Sequence, residues 1–151
     1  MPLLKEGDRL PPFSLSDDAG RTVTDADLAE RTVVLYFYPK DDTPGCTREA
    51  CAFRDGLEAF EERGAMVVGI SADDVASHVR FRDKYELNHP LLADPSHAVC
   101  EAFGVWGAQS FRGQTYLGIA RTTFLVRKGV IAKVYPDVDV TGHAERILAD
   151  L

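Results

Sequence analysis

Two continuous apolar runs, Thr32–Tyr38 and Ala65–Ser71, flank a segment in which apolar residues recur with a different spacing. Runs of this length that are rich in β-branched and aromatic residues are typical of buried strands. Between them, apolar residues recur at alternating spacings of four and three, at Cys46, Ala50, Phe53, Leu57 and Phe60. This spacing places them on one face of a helix, which Gly64 ends. The pattern therefore predicts a right-handed βαβ unit with two parallel strands.

The remaining pattern adds shorter elements on both sides of this unit. We predict an edge strand over 10–16, a short helix over 25–30 capped by Thr24, a helix ending near Tyr85, a strand over 91–93, a helix stopped by Gly104, an irregular loop over 105–119, a hairpin of strands 122–127 and 130–135, and a helix over 142–151. A sheet that contains both a βαβ unit and a hairpin is mixed, and helices cover its faces. No repeat, low-complexity tract or linker is visible, so we expect one α/β domain over residues 1–151.

Composition narrows the possible partners and the cellular location. The chain has 151 residues, 45% of them hydrophobic, which suits one domain with a substantial core. Its net charge of -7 argues against a nucleic-acid or anionic-membrane partner. No signal peptide or apolar run of about 18 residues is visible, so we expect a cytoplasmic protein whose three cysteines remain thiols.

Cys46 is the first candidate for chemistry. It follows the loop Pro39–Gly45 and stands in the first turn of the predicted helix, at the carboxyl end of a predicted strand. Unpaired N–H groups and the positive end of the helix dipole favour a thiolate there. A buried core cysteine is the alternative, because Cys46 also begins the apolar face of the helix. The glycine before it and the Thr43 hydroxyl favour a reactive sulfur. The glycine leaves backbone N–H groups free to bind an anion, and the hydroxyl can donate or accept a hydrogen bond.

Cys51 follows five residues later, and this spacing has three interpretations. Metal ligation would require further ligands, which no matching cysteine or histidine pair supplies. A preformed disulfide conflicts with an intact helix, in which positions i and i+5 lie about 8–9 Å apart, beyond the ~7 Å limit for bridging. The third interpretation is a pair of thiols that join only after Cys46 is oxidised, once the first turns of the helix unwind.

The stretch Tyr36–Asp55 resembles the active-site signature of the peroxiredoxins, and more narrowly that of the peroxiredoxin Q branch, also called bacterioferritin comigratory proteins. The family's pattern of proline, threonine and cysteine falls on Pro39, Thr43 and Cys46. Residues 99–107 and 118–126 also resemble this branch, so the resemblance covers nearly the whole chain. It implies a thioredoxin-like fold.

The resemblance also implies an activity, which is thiol-dependent reduction of hydrogen peroxide and organic hydroperoxides without a metal or organic cofactor. Cys46 would be the peroxidatic cysteine, and its sulfenic acid would condense with Cys51 as the resolving cysteine. A thioredoxin or similar dithiol reductant would restore both thiols. The implied protein is an atypical two-cysteine peroxidase that is monomeric or weakly dimeric.

Five further site residues follow from the same resemblance. Arg121 matches the active-site arginine, whose cation would favour the thiolate and hold the peroxide; a surface arginine is the alternative. Thr43 would hydrogen-bond the thiolate and the peroxide, and Pro39 would shield the sulfur from water. The backbone at Gly45 would face the substrate. Glu49 could orient Arg121 or be a solvated acidic residue near the helix start.

Several residues keep more than one interpretation. We expect Cys100 to be a core or spectator thiol, with a backup resolving role as the alternative. The scattered histidines have no metal-ligand spacing and are predicted to be surface or capping residues: His78, His89, His97 and His143. Trp106, Phe111 and Tyr116 could line the mouth of the site or form a docking surface.

A function of a different class is also compatible with the sequence. A redox-responsive binding module or holdase would use oxidation of Cys46 as a signal rather than as a catalytic step. A thioredoxin-like disulfide reductase is less favoured, because Cys46 and Cys51 are separated by four residues rather than by the two of that chemistry.

Overall fold

A computed structural model describes residues 2–151 of the chain. The strands are β1 (Ser14–Asp17), β2 (Thr22–Thr24), β3 (Thr32–Phe37), β4 (Ala65–Ser71), β5 (Leu91–Ala93), β6 (Trp106–Phe111), β7 (Gln114–Ile119), β8 (Thr122–Arg127) and β9 (Val130–Tyr135). The helices are α1 (Asp25–Leu28), α2 (Pro44–Glu62), α3 (Val75–Tyr85), α4 (Ala98–Ala102) and α5 (His143–Asp150). Within residues 2–151 no helix is long and apolar enough to cross a membrane.

Seven of these strands form a mixed sheet in the order β2-β1-β5-β4-β3-β8-β9. Strand β4 runs parallel to both β3 and β5, whereas β3 pairs antiparallel with β8. The predicted βαβ unit is therefore present as β3-α2-β4. The predicted hairpin is present as β8–β9, and the structure places it on the other side of β3, so that β3 lies between the two halves of the sheet.

Strand β3 divides the core because successive side chains point to opposite faces of a sheet. Val33, Leu35 and Phe37 pack into one core, together with helix α4. Val34 and Tyr36 pack into the other, together with helices α2, α3 and α5. All five side chains are fully buried, which explains why β3 is a continuous apolar run rather than an alternating one.

The edge strand predicted over 10–16 is wrong in its position. Strand β1 pairs with β5 on one side and with the unpredicted strand β2 on the other, so it is not at the edge. Strand β2 has only three residues, too few for a recognisable alternation. The predicted cap at Thr24 is present, and it forms a capping box with Asp27, but α1 ends at Leu28 rather than at Glu30.

The irregular loop predicted over 105–119 is also wrong. These residues form the separate hairpin β6–β7, with Arg112 and Gly113 at its turn. Both turn residues have positive φ values, 52° and 78°, as in the turn type that two-residue hairpins favour. Most side chains of the hairpin are exposed, so no buried face imposes an alternating pattern on its sequence.

The histidine prediction fails at three of its four positions. His78, His89 and His143 are buried, and each has a hydrogen-bonding partner in the interior. Burial lowers the pKa of His89 and of His143 to about 4, so both rings are neutral at physiological pH. The sequence positions of these histidines do not indicate that they are buried, because histidine is common both in protein interiors and on protein surfaces.

Candidate active site

Helix α2 places Cys46 at its third position, after Pro44 and Gly45. Proline is well suited to the first helical position, because its missing N–H would be unpaired there in any case. Cys46 is 1% exposed and packs into the same core as Tyr38 and Phe53 rather than facing open solvent. The thiol is free, and it lies in the first turn of the helix, where unpaired backbone N–H groups can stabilise a negative charge.

Arg121 lies beside this sulfur. Its Nη2 donates to Cys46 Sγ at 3.3 Å, and its Nη1 donates to Glu49 Oε1 at 2.7 Å. Burial by itself would lower the pKa of Arg121, but the Cys46 sulfur and the Glu49 carboxylate outweigh it and raise that pKa. The guanidinium is therefore a permanent cation in contact with the sulfur. The alternative interpretation of Arg121 as a surface residue is wrong, since its side chain is only 16% exposed.

Glu49 is one turn further along α2 than Cys46 and is 1% exposed. Burial raises the pKa of Glu49 to about 7, against the opposing effect of Arg121. Its Oε1 bonds Arg121, whereas Oε2 has no hydrogen-bonding partner and lies 3.8 Å from His143 Nε2. Glu49 is thus a buried hydrogen-bonding partner of Arg121. The alternative interpretation, a solvated acidic residue near the helix start, is wrong.

Gly45 makes room for the arginine. A Cβ atom at this position would lie 3.1 Å from Arg121 Nη2, closer than an ordinary van der Waals contact. Any side chain would push the guanidinium away from the sulfur. The glycine of the predicted signature therefore has a steric role that the sequence analysis did not assign to it.

Thr43 and Pro39 lie in the loop before α2. The Thr43 hydroxyl donates to the Lys40 carbonyl at 2.8 Å, so its hydrogen is directed away from Cys46. Its oxygen can still accept a hydrogen bond from an O–H group. The donation to the thiolate that the sequence analysis expected is not present in this structure. Pro39 is half-buried at the end of β3.

An apolar groove of about 690 Å³ opens next to this loop. Pro39, Thr43 and Gly45 form one wall, and the hairpin β6–β7 supplies Trp106, Phe111 and Tyr116 to the other. The three aromatic residues therefore line the mouth of the site. Three apolar side chains of the hairpin are conspicuously exposed, at 62% for Phe111, 47% for Tyr116 and 69% for Leu117.

The other two cysteines differ in their relation to Cys46. Cys51 is half-buried and packs against the same core as Cys46, one and a half turns along the intact helix α2. Cys100 is fully buried in the core on the opposite face of the sheet. Burial and the nearby Asp94 raise the pKa of Cys100 well above its ordinary value, which keeps it a thiol.

A polar network behind the loop was missed by the sequence analysis. Asp41 Oδ2 bonds His78 Nδ1 and Ser77 Oγ, both at 2.7 Å, and Asp41 Oδ1 accepts from Tyr38 at 2.6 Å. Asp41, Asp73 and His78 form the one cluster among residues 2–151 with metal-ligand geometry. Their ligand atoms already bond protein groups, so the cluster is satisfied without an ion.

The known proteins that this chain resembles in sequence and in structure belong to one family. The AhpC/TSA family matches residues 7–134. A putative peroxiredoxin bcp of Coxiella burnetii is 45% identical over 149 residues, covering 98% of this chain and 99% of that protein. Peroxiredoxin Bcp of Escherichia coli K12 is 45% identical, covering 96% and 94%. The solved structure of Xanthomonas campestris peroxiredoxin Q has a TM-score of 0.86 at 40% identity, covering 91% and 88%. A Xylella fastidiosa PrxQ structure has a TM-score of 0.91 at 35% identity, covering 97% and 94%.

Proposed function

Since the chain belongs to the peroxiredoxins of the AhpC/TSA family, we propose that it reduces hydrogen peroxide and organic hydroperoxides with Cys46 as the peroxidatic cysteine. The observation that carries this assignment is the contact between Arg121 Nη2 and Cys46 Sγ at 3.3 Å. A fixed cation beside the sulfur favours the thiolate, which is the nucleophilic form.

The first step is attack of the Cys46 thiolate on the terminal oxygen of the hydroperoxide. The S–O bond forms as the O–O bond breaks, and the leaving alkoxide or hydroxide takes a proton to become an alcohol or water. The cysteine is oxidised to the sulfenic acid, and the peroxide is reduced by two electrons. Arg121 stabilises the charge that moves from sulfur to oxygen, because its N–H groups are already oriented at the reacting atoms.

The second step joins Cys46 and Cys51. The Cys51 thiol loses its proton and attacks the sulfenic sulfur, the S–O bond breaks as the S–S bond forms, and the leaving hydroxide takes up a proton to become water. Because an intact helix separates these positions by about 8–9 Å, the first turns of α2 must unwind. Cys51 is favoured over Cys100 as the resolving residue, because Cys100 lies in the core across the sheet. A dithiol such as thioredoxin then reduces the disulfide and is itself oxidised.

The groove beside the loop supports organic hydroperoxides as substrates. Its wall is apolar on the side of the hairpin β6–β7, and it opens next to the residues that precede Cys46. An alkyl or aryl group in this groove would be removed from water while its hydroperoxide reached the sulfur. The Xanthomonas campestris relative is described by its alkyl peroxide reduction activity.

One equivalent of peroxide followed by peptide mass analysis tests the assignment. We expect a single disulfide between Cys46 and Cys51 in the wild type. In Cys51→Ser we expect one stoichiometric oxidation without cycling, and in Cys46→Ser no reaction. Full turnover by Cys46→Ser would refute the peroxidase assignment, and a bond between Cys46 and Cys100 would refute the resolving role of Cys51.

The rate of the first step separates a peroxidase from a redox-responsive binding module. A peroxidase must react with peroxide far faster than a free thiol, whereas a sensor need not. Stopped-flow measurement of Trp106 fluorescence provides the rate, since this single tryptophan lines the groove.

A further inference from the structure

The loop that precedes Cys46 is attached to helix α3 through two consecutive aspartates. Asp41 bonds Ser77 and His78 of that helix, and its N–H donates to Asp73 at 2.8 Å. Asp42 adds bonds to the end of the same helix, from Lys84 Nζ at 2.8 Å and from the Tyr85 hydroxyl at 2.5 Å. These side-chain bonds therefore tie the loop to one neighbouring element, whereas connecting segments are on average more mobile than the elements they connect.

The chemistry of the partners determines the protonation state of His78. Its Nδ1 lies 2.7 Å from a carboxylate oxygen of Asp41, and its Nε2 lies 2.9 Å from the carbonyl oxygen of Leu92. A carbonyl can only accept, and so can an ionised carboxylate, so both ring nitrogens carry hydrogens. His78 is therefore a buried imidazolium paired with the Asp41 carboxylate. The other ionisable groups facing it are Tyr38 and Asp73, and neither is a cation.

Helix α3 also holds the chain beyond the segment that must unwind. Arg54 Nη1 donates to the Tyr85 carbonyl at 2.6 Å, and Asn88 donates to the Arg54 carbonyl at 3.2 Å. Phe53, one residue earlier, is fully buried and stacks on Tyr36 at 4.6 Å between ring centroids. The segment between Thr43 and Phe53, which unwinds in the proposed cycle, is therefore bonded to the rest of the fold at both of its ends.

We propose that His78 is a positioning residue of the site, which as an imidazolium holds the loop Pro39–Thr43 against α3 while the first turns of α2 unwind and rewind. The proposal rests on the proposed peroxidase function. By keeping the upstream loop in place, His78 returns Thr43, Gly45 and the Cys46 sulfur to the same position opposite Arg121 after each cycle. It touches neither the sulfur nor the groove, so it acts through Asp41.

The same geometry makes the attachment dependent on pH. Burial by itself would lower the pKa of His78, but Asp41 and the Leu92 carbonyl together raise it above its ordinary value of 6.5. A raised pKa in the folded state means that the charged part of the attachment is at full strength below pH 6.5 and is lost as the pH rises through the folded-state pKa, which leaves one N–H of the ring. The rate of Cys46 oxidation should therefore decline on the alkaline side in the wild type.

Two substitutions at position 78 test the proposal in the full-length protein. His78→Leu removes both bonds, and we expect the second-order rate with hydrogen peroxide to fall about tenfold or more, since displacements near 1 Å can cost ~100-fold. His78→Asn keeps one neutral donor to Asp41 and loses the bond to the Leu92 carbonyl, so we expect it to match the wild type at alkaline pH, where the wild-type ring is also neutral, and to lack the higher rate of the wild type below that pH. A core truncation on the opposite face, Ile131→Ala, controls for lost stability alone.

The outcomes separate this proposal from the peroxidase assignment. If the wild type reacts rapidly and His78→Leu reacts as fast as Ile131→Ala, the positioning role is refuted and the peroxidase stands. If the wild type reacts no faster than a free thiol, the peroxidase assignment itself fails. If His78→Leu does not fold, nitrogen-15 NMR of the wild-type ring at neutral pH decides. Two N–H groups on His78 support the proposal, and a neutral ring refutes it.

Discussion

Arg121 and Cys46 are in contact at 3.3 Å although 75 positions separate them in the chain. The register between β3 and β8 explains this, because Phe37 pairs with Thr122 and so places Arg121 beside the end of β3. The guanidinium is therefore positioned by the sheet, whereas the sulfur is positioned by a helix. In the proposed cycle the start of α2 unwinds, so that Cys46 would move while Arg121 stayed in place with the sheet.

Gly45→Ala tests the fit between the helix and the arginine. The added methyl group would lie 3.1 Å from Arg121 Nη2 and push it away from the sulfur. We expect the second-order rate with hydrogen peroxide to fall about tenfold, since small displacements of reacting groups are costly. The fold should persist, because alanine is a better helix former than glycine by ~1 kcal/mol.

Gly56→Ala in the same helix is the matched control. Its added methyl group would lie 3.7 Å from the ring of Phe60, an ordinary contact. We expect an unchanged rate and a small gain in stability. An equal loss of rate in both variants would contradict a specific role for the space at Gly45.

Arg121→Lys tests the guanidinium itself. Lysine retains the charge but cannot donate to Cys46 and Glu49 in parallel, because only the planar guanidinium has that geometry. Loss of one such donor typically costs ~100-fold or more in rate, and we expect a loss of this order for peroxide reduction. Arg127→Lys, an exposed arginine of β8, should react like the wild type. A wild-type rate in Arg121→Lys would show that charge alone is sufficient.

The sequence was sufficient for the centre of the fold but not for its periphery. Strands β3 and β4 and helix α2 have long, buried and regular patterns, and the structure contains all three. The hairpin β6–β7 has no buried face, so its sequence lacks the alternation on which strand prediction depends. Its one local signal is the pair Arg112-Gly113 at the turn.

The candidate site divides in the same way. Cys46, Glu49 and Arg121 were selected from a motif and do lie together. The partners of Asp41 could not be predicted, because His78 is 37 positions away and a histidine on a helix has no preference for the interior. Long-range polar contacts depend on the packing of α3 against the loop, and single-sequence periodicity does not encode that packing.

The groove is tested by polar substitution on the hairpin β6–β7. Leu117 is 69% exposed, so Leu117→Ser should leave the fold intact. We expect the rate with cumene hydroperoxide to fall about threefold to tenfold, as loss of one apolar contact of ~1 kcal/mol predicts, whereas the rate with hydrogen peroxide stays the same. Leu3→Ser, at an exposed leucine outside the groove, is the control. Equal losses for both peroxides would refute a role in substrate binding.

The buried carboxyl of Glu49 makes stability depend on pH. Its pKa rises from 4.5 to about 7 on folding, chiefly because burial disfavours the charged form. A raised pKa means that its stabilising contribution is complete below pH 4.5 and is lost as the pH rises through about 7. Glu49→Gln keeps a neutral side chain at every pH. Urea unfolding of both proteins at about pH 5 and about pH 8 should therefore show the wild type losing about 2–3 kcal/mol relative to the variant.

The control for this experiment is Glu58→Gln, which removes an exposed carboxylate from the same helix. We expect its free energy of unfolding to stay within about 0.5 kcal/mol of the wild type at both pH values, as is usual for surface substitutions. If Glu49→Gln differs from the wild type by the same amount at both pH values, Glu49 does not change its protonation in this range. Arg121 would then face a constant charge on Glu49, and the contact with Cys46 would not vary with pH through this carboxyl.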